Sequence, residues 1–386
     1  MRKYFEFYNP TKINCGEGAL RTIGAELEYF GSKKPFVIAA VTAVRMGAAD
    51  KVRAALRGSS VKESLLFDAL PAKLDLDVLR ELKAKFLAEK CDGIVAVGGE
   101  SAMDFGKGLK LFLSDNCDDF LPIAGTSKRS VKDIPLIAVP TENGSGHETM
   151  GYVESGDCYV STPGVIPNVL ILDERVAALA PARVTAANGV YALANAIEAY
   201  IGADGVSLVE TYAQKAVELI FKNLENLVKD EENSGDALAV ALASAYAGIA
   251  YGNVPFGAAH ALAEALSDVT GQPMEEMIAI CLAPSLKNLS DPQKAKLEAL
   301  LPFMCGIDKC GEIPQAERSA KCIEVVENLI SSLHAASGMP EKIKETKISR
   351  EIFGAIADAA QDKRAAITEL RPIGQEEFLK ILNEAY

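Results

Sequence analysis

Apolar residues follow two different rhythms along the chain, and the change comes near residue 180. Before it, short continuous apolar runs alternate with amphipathic segments. The runs are Pro35–Val41, Ser64–Phe67, Gly93–Val97, Pro135–Val139 and Val169–Leu172. Runs this short with no polar face predict strands buried on both sides. Between them, Ala48–Leu56 and Leu74–Lys90 carry helical spacing, with Leu76, Leu79, Leu82 and Phe86 near one face. Strand alternating with helix predicts a parallel sheet covered on both sides. The opening stretch, Phe5–Cys15, is expected to add an edge hairpin to it.

After residue 180 the strand signals fade. Ala182–Ile201, Ser207–Leu227, Asp236–Tyr251, Ala258–Ser267, Met274–Leu286, Gln315–Ala336, Arg350–Gln361 and Gln375–Glu384 are rich in Ala, Leu and Glu. Those residues lose little side-chain freedom in a helix, so each segment predicts one. The fold class is therefore α/β plus all-α. A sheet domain spans residues 1–180 and a helical domain spans 181–386, with the boundary near Pro181.

Composition narrows the function classes. The 386 residues are 49% apolar, enough for sizeable cores. No apolar run reaches membrane-spanning length, and Met1–Phe7 lacks the apolar core of a signal peptide. The expected location is the cytoplasm, with no membrane partner. The net charge of −13 repels nucleic acid, whose binding rests on Lys and Arg against phosphate. The expected partner is a small molecule. The eight cysteines are scattered without CxxC spacing, which argues for reduced structural thiols rather than a disulfide or zinc framework.

Four segments are candidates for chemistry. Val95–Asp104 is a buried strand, a turn at Gly98-Gly99, and a helix beginning around Ser101. Such a turn presents free backbone N–H groups and a positive helix end to an anion. The plain alternative is a tight connection with Ser101 as N-cap. Val139–Glu148 follows another strand and is rich in hydroxyls and glycine, notably Thr141, Gly144 and Ser145. It suits a second lobe of a nucleotide site or, plainly, a polar loop. On the helix around 190, Tyr191 and Asn195 are i and i+4 and share a face; so do His260 and Glu264. His260 is one of three histidines, and a lone helical histidine is most often a satisfied core residue.

Taken in order, these segments resemble the iron-containing alcohol dehydrogenase family over nearly the whole chain. Asn9-Pro10-Thr11-Lys12-Ile13 with Gly16 and Gly18 is similar to the family's start. Cys91–Gly99 leads into a stretch like the family's Gly-Gly-Gly-Ser-x-x-Asp-x-x-Lys, ending at Lys107. Pro140–Glu148 resembles its Pro-Thr-Thr-x-Gly-Thr-Gly-Ser-Glu loop. Leu172-Asp173, Leu179-Ala180-Pro181, Glu198-Ala199-Tyr200 and His260-Ala261-Leu262 match further segments. The resemblance implies a Rossmann-like dinucleotide-binding domain, a helical domain and an active-site cleft between them. It implies oxidation of alcohols or reduction of aldehydes and ketones with NAD or NADP, and a homodimer by default. Gly98, Gly99, Ser101, Asp104, Thr141, Gly144 and Ser145 would then bind the cofactor.

Members of that family hold a divalent metal, usually iron, with one Asp and three His. Here the Asp position is Tyr191 and the first His position is Asn195. The second His is His260, and the third falls at Met274 or Glu275, depending on the anchoring proline. A phenol, an amide and a thioether are poor ligands for hard or borderline ions, so no catalytic metal is expected. The third glycine of the phosphate turn is Glu100, and the loop's second serine is His147, within reach of a phosphate or the substrate. The family's NAD-favouring acid falls at Ala40, and nearby Arg45 suits a 2′-phosphate, which leaves NADP open. Three functions follow. One is a metal-independent reductase or dehydrogenase with Tyr191 or His260 as proton donor and Asn195 orienting the substrate. The second is a non-catalytic nucleotide-binding descendant. The third is a metal enzyme with an atypical set of His260, Glu264 and Glu275.

Overall fold

The computed structural model describes residues 4–61, 65–115, 117–126, 133–142, 144–155, 158–203, 205–230, 233–254, 257–363 and 373–386. The chain divides into two compact units. One comprises Tyr8–Asn143 and His147–Ala180; the other comprises Met1–Phe7, Gly144–Gly146 and Pro181–Tyr386.

The first unit is built on a six-stranded, wholly parallel sheet. In chain order its elements begin with β1 (Lys12–Cys15), α1 (Ile23–Tyr29), β2 (Pro35–Ala40), α2 (Val41–Arg45), α3 (Ala48–Arg57) and β3 (Leu65–Leu70). They continue with α4 (Leu76–Ala88), β4 (Gly93–Gly98), α5 (Glu100–Asp115), β5 (Gly125–Thr126) and β6 (Leu136–Pro140). The last are β7 (Tyr152–Ser155), β8 (Cys158–Ser161), β9 (Val169–Leu172) and α6 (Glu174–Ala177). The sheet order is β1-β9-β6-β4-β2-β3, and β5, β8 and β7 form a separate small sheet. The four inner strands are fully buried, which is why their interiors are Val, Ile, Leu, Phe and Ala, with Pro or Gly only at their ends. Asp75 caps α4 by accepting from the Asp77 and Val78 N–H groups.

The five predicted strands form, and Ser64 of the second lies outside the described residues. The expected hairpin over Phe5–Cys15 does not form. A single strand, β1, pairs in parallel with β9, more than 150 residues away in sequence. The Asn9 side chain accepts from Thr11 N, and the Thr11 hydroxyl donates to the Pro167 carbonyl, which steers the chain straight into the edge beside β9.

The second unit is helical: α7 (Ala182–Gly202), α8 (Ser207–Lys229), α9 (Ser234–Tyr251), α10 (Ala258–Thr270) and α11 (Met274–Lys287) come first. Then follow α12 (Asp291–Leu297), α13 (Leu301–Cys305), α14 (Ile307–Gly311), α15 (Gln315–Ser337), α16 (Phe353–Asp362) and α17 (Gln375–Ala385). Small residues bring these helices close. A Cβ on Gly189 of α7 would collide with Leu224 of α8. No helix among the described residues is long and apolar enough to cross a membrane.

Candidate functional site

Two groups of polar side chains stand out, one in each unit. In the sheet unit, β4 ends at Gly98 with φ 148°, a backbone conformation that favours glycine. A Cβ there would stand 2.7 Å from Ala40 Cβ and 2.9 Å from Ala102 Cβ. The turn then enters α5 at Glu100, one residue before the predicted start, so the first-turn N–H groups face outward from the strand end. Ser101 is not the cap: it lies inside the first turn, and its hydroxyl donates to the Pro71 carbonyl at 2.5 Å. What Ser101 offers at the turn is its backbone N–H. Thr141 N donates to Gly98 O at 3.1 Å, tying the end of β6 to the same turn. The Thr141 hydroxyl is buried and has no hydrogen-bond partner among the described residues.

Glu142 follows directly, and its carboxylate lies against Gly99, where any Cβ would collide with it. Thr42 of α2 hydrogen-bonds this carboxylate. Burial pushes the Glu142 pKa up, the nearby Glu100 pushes the same way, and the Thr42 hydrogen bond opposes both. Ala40 ends β2 beside Gly98, and Arg45 is exposed at the end of α2.

Asp104 and His147 do not face outward. Asp104 Oδ1 lies 3.0 Å from the buried ammonium of Lys107 and 2.9 Å from His147 Nδ1. Lys107 also donates to the Tyr152 carbonyl at 2.7 Å, and His147 Nε2 is 3.0 Å from the Tyr152 hydroxyl. Both ring nitrogens of His147 are thus engaged, and the residue braces α5 against β7 instead of reaching for a phosphate or substrate. Burial works against ionising this group. The Glu100 and Asp104 carboxylates outweigh it and raise the His147 pKa, while Lys107 and His147 hold Asp104 below its ordinary value.

In the helical unit, α7 presents Tyr191, Asn195 and Glu198 at successive turns. Glu198 is a collection point. Its carboxylate accepts from Gly257 N at 3.0 Å, Ala259 N at 2.9 Å and the Tyr251 hydroxyl at 3.2 Å. Its Oε2 also meets His260 Nδ1 at 2.6 Å. A Cβ on Gly257 would strike that carboxylate, so only glycine fits there. The contact assigns Nδ1 as the donor, which fixes the His260 ring and leaves Nε2 on the far side. The rings of Tyr191 and Tyr251 lie 5.5 and 4.5 Å from the His260 ring, centroid to centroid. Asn195 is fully buried, and its amide nitrogen donates to the carbonyls of Gly144 (3.2 Å) and Ser145 (3.0 Å). Its Oδ1 has no hydrogen-bond partner among the described residues.

The predicted nucleotide loop is therefore divided. Thr141 belongs with the glycine turn, Gly144 and Ser145 lie on α7, and Asn143 of the same motif lies outside the described residues.

The set of His260, Glu264 and Glu275 is not brought together. Glu264 is ion-paired with Lys363 at 3.0 Å. Among the described residues, ligand atoms of three or more His, Cys, Asp and Glu side chains gather within 4.8 Å only at Glu100–Asp104–His147 and at His334–Glu341–Glu345. In the first of these the Lys107 ammonium already neutralises Asp104. Glu198, Tyr251 and Glu142 lay in segments named from the sequence but drew no role of their own there. The i, i+3 spacing of Asn195 and Glu198 was visible, but their pairing with segments around Gly144 and Gly257 was not.

Comparison with known proteins bears on both groups. The model of the iron-containing alcohol dehydrogenases matches residues 10–174, and that family's C-terminal model matches residues 185–386. The 1,3-propanediol dehydrogenase of Citrobacter freundii is 27% identical, covering 100% of this chain and 99% of that protein. The lactaldehyde reductase of Escherichia coli K12 is 26% identical over 96% of this chain and 97% of its own. The crystal structure of a 1,3-propanediol oxidoreductase superposes with a TM-score of 0.92 at 26% identity, covering 100% of both chains. The Oenococcus oeni alcohol dehydrogenase gives 0.89 at 27% identity over 99% of this chain and 100% of its own.

Proposed function

The chain belongs to the iron-containing alcohol dehydrogenase family, and from that premise we propose that it is an NAD(P)-linked oxidoreductase interconverting alcohols with aldehydes or ketones, with its own side chains in place of the catalytic metal. The observation that carries this reading is His260, held on one ring nitrogen by Glu198 and flanked by Tyr191.

The metal of the family does not fit the residues present. Its four positions hold a phenol, an amide, one imidazole and Met274 or Glu275. The Asn195 amide nitrogen is spent on two loop carbonyls, the Glu198 carboxylate is occupied by four donors, and Glu264 is occupied by Lys363. That leaves too few ligands of the right chemistry for a hard or borderline divalent ion.

A nicotinamide cofactor fits the sheet unit better. The glycine turn, the start of α5 and the buried Thr141 hydroxyl form a site suited to a pyrophosphate. When bound, the reduced cofactor supplies a hydride. The chain's own part is the proton. His260 Nε2 or the Tyr191 hydroxyl donates it to the carbonyl oxygen during reduction and removes it during oxidation. Glu198 keeps the imidazole in one tautomer and orientation, as the carboxylate partner of a working histidine does. Asn195 contributes Oδ1, a buried acceptor for a substrate hydroxyl, while its amide hydrogens hold the Gly144–Ser145 loop in place. Replacement of the NAD-favouring acid by Ala40, with Arg45 exposed nearby, keeps NADP open as the cofactor. The protein is expected to work as a homodimer on a small-molecule substrate.

The test is an aldehyde and ketone screen with NADH and NADPH, followed by Tyr191→Phe and His260→Ala. Loss of the proton donor is expected to lower kcat by roughly 10²- to 10⁴-fold. Turnover left intact by both substitutions would sink the reading. A non-catalytic nucleotide-binding descendant is the second reading, and the two carboxylates at the glycine turn, Glu100 and Glu142, favour it.

A further inference from the structure

The feature not absorbed by that reading is Glu142. In the family's loop pattern its position is the second threonine, a neutral hydroxyl. Here a carboxylate lies on Gly99, the residue whose lack of a side chain lets a phosphate approach the turn. The carboxylate is not there by default. Thr42 on α2 hydrogen-bonds it, β6 carries it from the neighbouring Thr141, and Thr141 N is itself fixed to Gly98 O at 3.1 Å. A second acid, Glu100, begins α5 and lies close enough to push the Glu142 pKa up.

We propose that Glu142 is the residue that sets this chain's cofactor affinity: its carboxylate occupies the phosphate-facing surface of the Gly98-Gly99 turn, and a dinucleotide binds only by displacing it. The start of α5 attracts one anion by its dipole, and the Glu142 carboxylate already lies against Gly99, so a pyrophosphate competes with a tethered rival. A pyrophosphate arriving beside an ionised Glu142 also meets like charge at short range in a partly buried site, where screening is weak. Glu100 adds to that charge. His147 Nε2 lies 3.9 Å from the Glu100 carboxylate and offsets that charge in part, which leaves Glu142 as the deciding acid. The proposal rests on the dehydrogenase reading and deepens it. It makes this member a weak cofactor binder, held back by one side chain rather than by a damaged fold.

The experiment is a titration of the whole protein with NADH and NADPH, followed by nicotinamide fluorescence, for wild type, Glu142→Thr and Glu142→Gln. Gln preserves shape and removes charge; Thr restores the family's residue. Circular dichroism checks that each variant is folded. Both variants are expected to bind at least tenfold more tightly than wild type, and the wild type alone should gain affinity as salt rises from low ionic strength, because salt screens the repulsion. If wild type and both variants bind equally well, the proposal is overturned and the dehydrogenase reading stands. If only Glu142→Thr tightens, bulk rather than charge is responsible, and the proposal is again overturned. If none of the three binds either nucleotide, the proposal falls together with the reading beneath it.

Discussion

A single buried lysine shows how much one side chain can demand of its neighbours. Lys107 is fully buried, and its ammonium is ion-paired with Asp104 at 3.0 Å. Replacing Asp104 by Asn would leave that ammonium without a counter-charge, a change that costs about 3–5 kcal/mol. The expected result is a clear fall in the denaturant midpoint with the slope unchanged. The same network gives a pH signature. His147 has a raised pKa, so its charged form contributes stability that is complete below the unfolded value of about 6.5 and is lost as pH rises through the higher folded value. Asp104 has the opposite sense: its contribution is present above about pH 3.9 and is lost as pH falls through its depressed folded value. The stability gap between wild type and His147→Asn should therefore be widest on the acid side of neutrality and narrow in mild alkali. A gap that widened in alkali would contradict the assignment. At this scale the sequence placed Tyr191 and Asn195 on one helix and His260 on another, and both helices form. It was silent where two distant segments meet. His147 looked available in one dimension and is committed in three, because Asp104 and Tyr152 come to it from different elements.

At the level of elements, periodicity sufficed for the inner strands and long helices, since both bury a large apolar surface and must repeat it. It missed α12, α13, α14 and the small sheet of β5, β8 and β7, whose elements are too short to establish a period. It also misread the start of the chain, where parallel pairing with β9 replaced a hairpin. Close contacts between elements were equally hidden. Gly144 packs so tightly on the backbone of Asn188 in α7 that a Cβ would overlap its carbonyl. Gly144→Ala should thus push the loop off α7 and destabilise by about 1–3 kcal/mol. Gly311 is the control, because a Cβ there meets nothing within 4 Å. Ala at that site should be neutral or slightly stabilising. Equal losses at both sites would mean that the packing argument is mistaken.

For the whole molecule, the charge of −13 and the proposed metal-free chemistry make two bulk measurements informative. Protein purified without chelators is expected to carry well below one equivalent of iron or zinc by elemental analysis. Stoichiometric metal would restore the family's usual chemistry and remove the proton-donor argument. If NADH or NADPH binds, a concentration near 100 times Kd should add about 2.7 kcal/mol of stability, read as a rise in melting temperature, and Glu142→Thr should reach that rise at lower concentration. The family and its division into sheet and helices could be read from the sequence because they rest on many segments in a fixed order. The site's electrostatics could not, because they depend on which acids face which cations.

The short stretch Gly144–Gly146 sits with the helices, although it is encoded in the middle of the sheet. The polypeptide therefore passes from one unit to the other four times: after Phe7, after Asn143, after Gly146 and after Ala180. A gene cut at codon 181 would not yield two self-sufficient halves. The helical fragment would lose the carbonyls that Asn195 holds, and the groove over Asn188 would be left open. Shuffling such a gene between relatives would have to carry these three residues as an exon-like cassette with the distal half. Natural chimaeras joined only at the obvious boundary would inherit a loop fitted to someone else's helix.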